Sequence, residues 1–133
     1  MYDPLRKKEV ADTPEEQVRQ WFITQLLGTF GVPAHLMMSE TGFRFGGKQY
    51  RADILVYDRN ACPLAVVECK RPEVEITAET ARQAMRYNAV LDVRFIILTN
   101  GSRTYLLRRE GGTFRPMDHI PQYEEMAAYD SRG

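Results

Sequence analysis

The sequence has little of what marks several large functional classes. Only two cysteines, Cys62 and Cys69, occur in 133 residues. They form neither a disulfide framework nor a zinc-ligand set, and with no leader-like segment at the start they read as reduced thiols, so the expected compartment is the cytoplasm. No apolar run approaches the ~20 residues that span a bilayer, which removes membrane roles from the expectation. His35 and His119 have no partner at ligand spacing. An excess of charge is absent as well, since 18 Lys and Arg balance 18 Asp and Glu. That balance removes the strongly basic signature of proteins that hold nucleic acid mainly by counterion release. It does not exclude nucleic acid, because basic side chains can gather on one face or a metal can supply positive charge.

What remains is 44% hydrophobic and 27% charged residues, the proportions of one ordinary globular domain. A chain of this length can bury a core without disulfides or a structural metal. The expectation is a single domain over 1–133, with a flexible lead-in at 1–12, a core at 13–109 and a C-terminal hairpin, helix and tail at 110–133.

Thr13-Pro14-Glu15-Glu16 combines an N-cap hydroxyl, a first-turn proline and the glutamate of a capping box. Val18, Trp21, Phe22, Gln25 and Leu26 follow at helical spacing. This helix should end near Gly28 to Gly31, with a further short helix over Ala34 to Ser39. Phe43 to Phe45 and Gln49 to Tyr57 read as strands joined at Gly46-Gly47. Leu64 to Cys69 is a nearly all-apolar strand, as at the centre of a sheet covered on both faces, and Glu68 interrupts it. A helix from Thr77 to about Leu91 and a buried strand over Arg94 to Thr99 complete a crossover. Asn100-Gly101 then turns the chain back along Thr104 to Arg108. A polar loop at 110 to 119 leads to a weak helix around Pro121 to Tyr129. The expected fold is α/β (α+β), a mixed central sheet flanked by helices.

If Asp58 to Pro63 is a hairpin loop, the simplest register sets Tyr57 opposite Leu64, Leu55 opposite Val66 and Asp53 opposite Glu68. Asp53, Glu68 and Lys70 then share one face, and Ile54, Val56, Ala65 and Val67 the other. Two carboxylates about 5 Å apart repel. A divalent cation offsets that repulsion, and Mg²⁺ takes one or two carboxylates, retains waters and accepts phosphate oxygens. The Cys69 carbonyl is a candidate third ligand. Lys70 can orient or deprotonate a water, or neutralise charge on a phosphoryl group. Read blandly, the same three residues are a surface ion pair.

Asp53, then Glu68-Cys69-Lys70, then Gln83-Ala84-Met85-Arg86-Tyr87 resembles the PD-(D/E)xK nuclease superfamily, whose signature is an Asp on one strand, (D/E)xK on the next and often QxxxY on the following helix. With Pro14 to Arg19, Arg51 to Ile54, Val67 to Pro72 and Leu98 to Gly101, it resembles more narrowly the amino-terminal nuclease domain of type I restriction enzyme R subunits. The resemblance covers roughly residues 13 to 109 and implies a restriction-endonuclease-like fold and Mg²⁺-dependent DNA cleavage, with Mn²⁺ as a substitute ion. It implies Asp53 and Glu68 as metal ligands, Lys70 as catalytic base or charge stabiliser, and Glu16 as a further acidic residue near the metal. Ala52 stands where the signature has proline. The chain ends before the ATP-driven motor that follows this domain in R subunits, so an excised domain and a stand-alone relative are both open. A homodimer or restriction-complex subunits are the protein partners to expect.

Glu16 also fits the capping box of its own helix. Gln83 and Tyr87 form one helical patch, able to meet the site or its DNA or to serve as a polar-aromatic pair at the core's rim. Gly42 to Lys48 fits seven positions of a phosphate-cradling loop. Gln49 replaces the required hydroxyl, and a strand rather than a helix follows, so no ATP binding is expected. Arg51, Arg71 and Arg86, with Arg44, Lys48, Lys70, Arg82 and Arg103, lie on elements around the site and can form a basic cleft for DNA. The rival expectation is a non-catalytic module that binds DNA or a restriction-system partner.

Overall fold

A strand as apolar as Leu64 to Cys69 needs cover on both faces, and the architecture follows from that need. The computed structural model describes residues 1–129, without the side chains of residues 40, 41, 43, 45, 88 and 89. A two-stranded hairpin, β1 (Tyr2–Asp3) and β2 (Lys8–Glu9), precedes helix α1 (Pro14–Gly28) and a 3-10 turn at Ala34–Leu36. Six strands then form one sheet in chain order: β3 (Met37–Phe45), β4 (Lys48–Tyr57), β5 (Pro63–Cys69), β6 (Phe95–Thr99), β7 (Thr104–Glu110) and β8 (Thr113–Met117). Helix α2 (Ala78–Leu91) connects β5 to β6, which run parallel, and the other neighbouring strands are antiparallel. Helix α3 (Tyr123–Ala128) closes the described chain.

Side-chain alternation splits the core into two layers. Ile54, Val56, Ala65, Val67, Phe95 and Ile97 face α1 and α3, where Val18, Phe22, Ile23, Leu26, Tyr123 and Met126 pack. Leu55, Val66, Ile96 and Leu98 face α2 through Ala84 and Tyr87. Phe22, Ile23 and Leu26 are fully buried, each stabilising the fold by roughly 1.5–3 kcal/mol relative to exposure. The mixed sheet flanked by helices matches the expected fold class.

Several expectations need correcting. Residues 1–12 are not a frayed lead-in: Asp3 is wholly buried and accepts from the Leu5 and Arg6 amides at 2.8 and 3.1 Å, which closes the hairpin. Met37 to Ser39 belong to a strand rather than a helix, paired with Val56 to Ile54. The C-terminal hairpin expected within 110–133 is present as β7–β8, with Gly111 in the left-handed region at φ +66°, and it takes in Glu110 and Thr113 to Met117 of the segment read as a polar loop. Asn100-Gly101 opens a four-residue loop, since Thr99 pairs with Thr104 and the Asn100 side chain caps the Ser102 and Arg103 amides.

Candidate active site

The β4–β5 register keeps Leu55 opposite Val66, as the simplest hairpin requires, and sets Ile54 opposite Val67. Tyr57 pairs with Pro63 instead of Leu64, because a bulge between Val56 and Tyr57 absorbs one residue. The Asp58 carboxylate, accepting the Asn60 and Cys62 amides at 2.9 Å, shapes that turn. At the other end, Ile54 and Val67 are the last paired residues. Beyond them the Asp53 side chain replaces the ladder: Oδ2 accepts the Cys69 amide at 2.7 Å. The carboxylate thus lies at the strand ends, reaching toward α1 through Oδ1, rather than projecting squarely onto the face shared with Lys70.

Glu68 and Lys70 do share the α2 face. With Thr80, Gln83, Arg86 and Tyr87 they line a polar pocket of about 110 Å³. Burial first, then the Asp53 charge, pushes the Glu68 carboxyl up to about 7, against the pull of Tyr87 and Lys70. Tyr87 in turn donates to the Arg51 carbonyl, and burial with the nearby Glu68 raises its own pKa. The QxxxY pair therefore meets Glu68 and Lys70 in space. Lys70 is tied down by its amide, which donates to the Thr99 carbonyl at 2.8 Å.

Helix α1 adds a residue that sequence reasoning missed. Arg19, only 4% exposed, donates through Nη2 to Asp53 Oδ1 at 2.9 Å and through Nη1 to Glu16 Oε2 at 2.7 Å. Glu16 Oε1 accepts from Arg6 at 2.6 Å, and Arg6 Nε reaches Asp3 Oδ2 at 2.5 Å. A chain of alternating charge, Asp3, Arg6, Glu16, Arg19, Asp53, links the N-terminal hairpin to the site. The Thr13 hydroxyl accepts the Glu16 amide at 3.1 Å, as a capping box requires, but the Glu16 carboxylate turns to the two arginines. Arg19 accordingly stands between Glu16 and Asp53. The signal was Glu16, Arg19, Gln20 and Ile23 on one helical stripe, all buried. Trp21, expected on the apolar face, is 41% exposed.

The remaining candidates lie around this centre. Arg51 is exposed beside Asp53 on β4. Arg86 stacks over the Tyr87 ring at 5.6 Å, and Gln83 bonds Glu79 at 3.5 Å. Arg71 pairs with Glu73 at 2.8 Å in solvent. The Cys69 thiol is buried and pushed well up, first by burial and then by the Asp53 charge, which fits packing and not nucleophilic chemistry. Gly46 and Gly47 turn one strand into another.

Among the described residues no group of three or more His, Cys, Asp or Glu is arranged to hold a metal by itself. The donor set present is two carboxyls, Asp53 and Glu68, whose mutual repulsion a cation would relieve, with the Cys69 carbonyl in the same strand. That set fits an ion of the Mg²⁺ kind, which keeps most of its waters, and not a closed zinc site.

The family model for the type I restriction enzyme R protein N terminus (HSDR_N) matches residues 14–121. The chain belongs to this family. A solved fragment assigned as an HsdR subunit of a type I restriction enzyme from Vibrio vulnificus YJ016 has the same fold, with a TM-score of 0.66 and 24% identity over 84% of the chain. The chain spans 24% of the length of that fragment. No curated protein matches significantly. Among the described residues of this R-protein N-terminal domain, no helix is long and apolar enough to cross a membrane.

Proposed function

We propose that this R-protein N-terminal domain is a PD-(D/E)xK-type deoxyribonuclease that hydrolyses DNA phosphodiester bonds with Mg²⁺, or with Mn²⁺ in its place. The observation that carries the reading is the Asp53–Glu68 pair, two carboxyls whose charges act on each other where β4–β5 pairing stops, with Glu68 and Lys70 lining one polar pocket. Asp53 and Glu68 would hold the cation with the Cys69 carbonyl, whereas Glu16 would act on it only through Arg19. When bound, the ion supplies Lewis-acid polarisation of the phosphate and lowers the pKa of a water. Lys70 either takes a proton from the attacking water or neutralises charge on the phosphoryl oxygens as the sugar oxygen leaves in line. Tyr87 holds Glu68 in position, and Gln83, Arg51, Arg71 and Arg86 contact or orient the DNA backbone. The R-protein relation supports work inside a restriction complex in the cytoplasm.

The test is incubation with supercoiled, linear and single-stranded DNA in Mg²⁺, Mn²⁺ or EDTA, beside Asp53→Ala and Lys70→Ala. Metal-dependent nicking that both variants lose is the expected outcome. Folded protein that binds metal yet cuts nothing would instead identify a non-catalytic module, dependent on a partner for any cleavage.

A further inference from the structure

Strand β4 pairs with β5 only from Ile54 onward, yet β3 and β4 continue together for five more pairs, Thr41 with Ala52 through Phe45 with Lys48. Among the described residues no third strand pairs with this part of the hairpin. It runs on for about 17 Å at the usual rise per residue. Gly46 and Gly47, at φ +59° and +79°, close it with the two left-handed residues that a tight right-twisted ribbon requires. Residues 41–52 hold Arg44, Lys48 and Arg51 and no acidic residue, in a chain whose charges balance as a whole.

The ribbon has two unlike faces. Tyr50 packs edge-on against Tyr87 at 6.5 Å, and Tyr50 and Ala52 join the α2 layer of the core. Alternation then sets Gln49 and Arg51 on the opposite face, and the register adds Arg44 beside Gln49 and Gly42 beside Arg51. Arg44, Gln49 and Arg51 on that face are all exposed, and Lys48 is exposed at the turn itself. The face's three side chains are donor-rich types that bind phosphates and base edges, and it ends two residues from Asp53. Tyr87, which donates to the Arg51 carbonyl and lines one pocket with Glu68 and Lys70, couples the ribbon's root to the site.

We propose that the β3–β4 ribbon is the duplex-engaging element of this domain, entering the major groove of B-form DNA and so presenting one strand to Asp53, Glu68 and Lys70. The major groove of B-DNA, about 12 Å wide, admits a two-stranded ribbon, whereas the deep, narrow major groove of duplex RNA does not. The proposal rests on the nuclease reading for its choice of partner, but its test does not depend on cleavage.

The test uses the full chain in EDTA, with fluorescence anisotropy of a 20-bp DNA duplex, the same strand alone and the matching RNA duplex, each titrated at several salt concentrations. Wild type should prefer the DNA duplex. Arg44→Ala with Lys48→Ala, both distal to the site, should weaken duplex binding by roughly tenfold or more and lower the salt slope by about 2. The melting temperature should stay unchanged. Equal affinity for single-stranded DNA or duplex RNA, no DNA binding at all, or an unaltered slope in the double variant would overturn it. The nuclease reading fails separately: duplex binding through the ribbon without metal-dependent cleavage leaves the ribbon in place and removes the hydrolysis. Cleavage by a protein whose double variant binds normally does the reverse.

Discussion

Arg19 and Asp53, thirty-four residues apart, share a bond of 2.9 Å that fastens the first helix to the middle of the fourth strand, where its pairing with β5 stops. The same guanidinium holds Glu16 at 2.7 Å, so one buried cation serves two carboxylates. Removing it leaves the Asp53 carboxylate without this counter-charge and Glu16 with Arg6 alone, and breaking a buried pair costs about 3–5 kcal/mol. Arg19→Ala should lose stability on that scale in urea denaturation. Arg19→Lys should recover only part, because an ammonium lacks the planar fork that serves two acceptors.

Glu68 gives a pH dependence of defined sign. Burial and then the Asp53 charge raise its carboxyl from 4.5 to about 7. Between those values the folded state binds more proton than the unfolded one, so the cation-free protein loses stability as pH rises through that window. The loss should total on the order of 2–3 kcal/mol by pH 8. Urea denaturation in EDTA at about pH 5 and about pH 8 measures it, and Glu68→Gln should abolish the difference.

Asp3 behaves in the opposite sense. Burial raises its carboxyl, but the bonds from Arg6 and the Leu5 amide outweigh burial and hold it below 3.8. Its stabilisation is therefore complete above pH 3.8 and is lost as pH falls through the lowered value. Asp3→Ala should destabilise by about 1–3 kcal/mol at neutral pH and increase amide exchange in residues 1–12.

Lys70→Ala should lower Mg²⁺-dependent cleavage by about 10²–10⁴-fold while leaving Mn²⁺ binding intact. Tyr87→Phe should act differently, costing about 1–3 kcal/mol of stability because the Arg51 carbonyl loses its donor. Single-turnover cleavage and urea denaturation together separate the two roles.

The sheet was legible where periodicity was strong. Leu64 to Cys69 and Phe95 to Leu98 are apolar throughout apart from Glu68, and both are central strands. Thr113 to Met117 were not legible because this edge strand buries little; Met37 to Ser39 do alternate buried, exposed, buried, but three residues with a serine at one buried position give too short and too polar a signal. The register at Leu55 could be drawn from hairpin arithmetic, since a bulge at Tyr57 leaves it unchanged, but pairing stops at Ile54 and Asp53 has no partner on β5 in the ladder. The direction of the Asp53 carboxylate could not, because it depends on where strand pairing stops. The arginine relay was hidden because α1 buries Glu16, Arg19 and Gln20 on a face where pattern reading expects apolar residues.

The most direct measurement is a Mn²⁺ titration at pH 8, followed by the resonance of the free ion, on wild type, Asp53→Asn and Glu68→Gln in the presence of a non-cleavable DNA duplex. The expected result is one bound ion per chain, lost in both variants. Equal binding in all three proteins, or none in the folded wild type, would contradict a cation site built from Asp53 and Glu68.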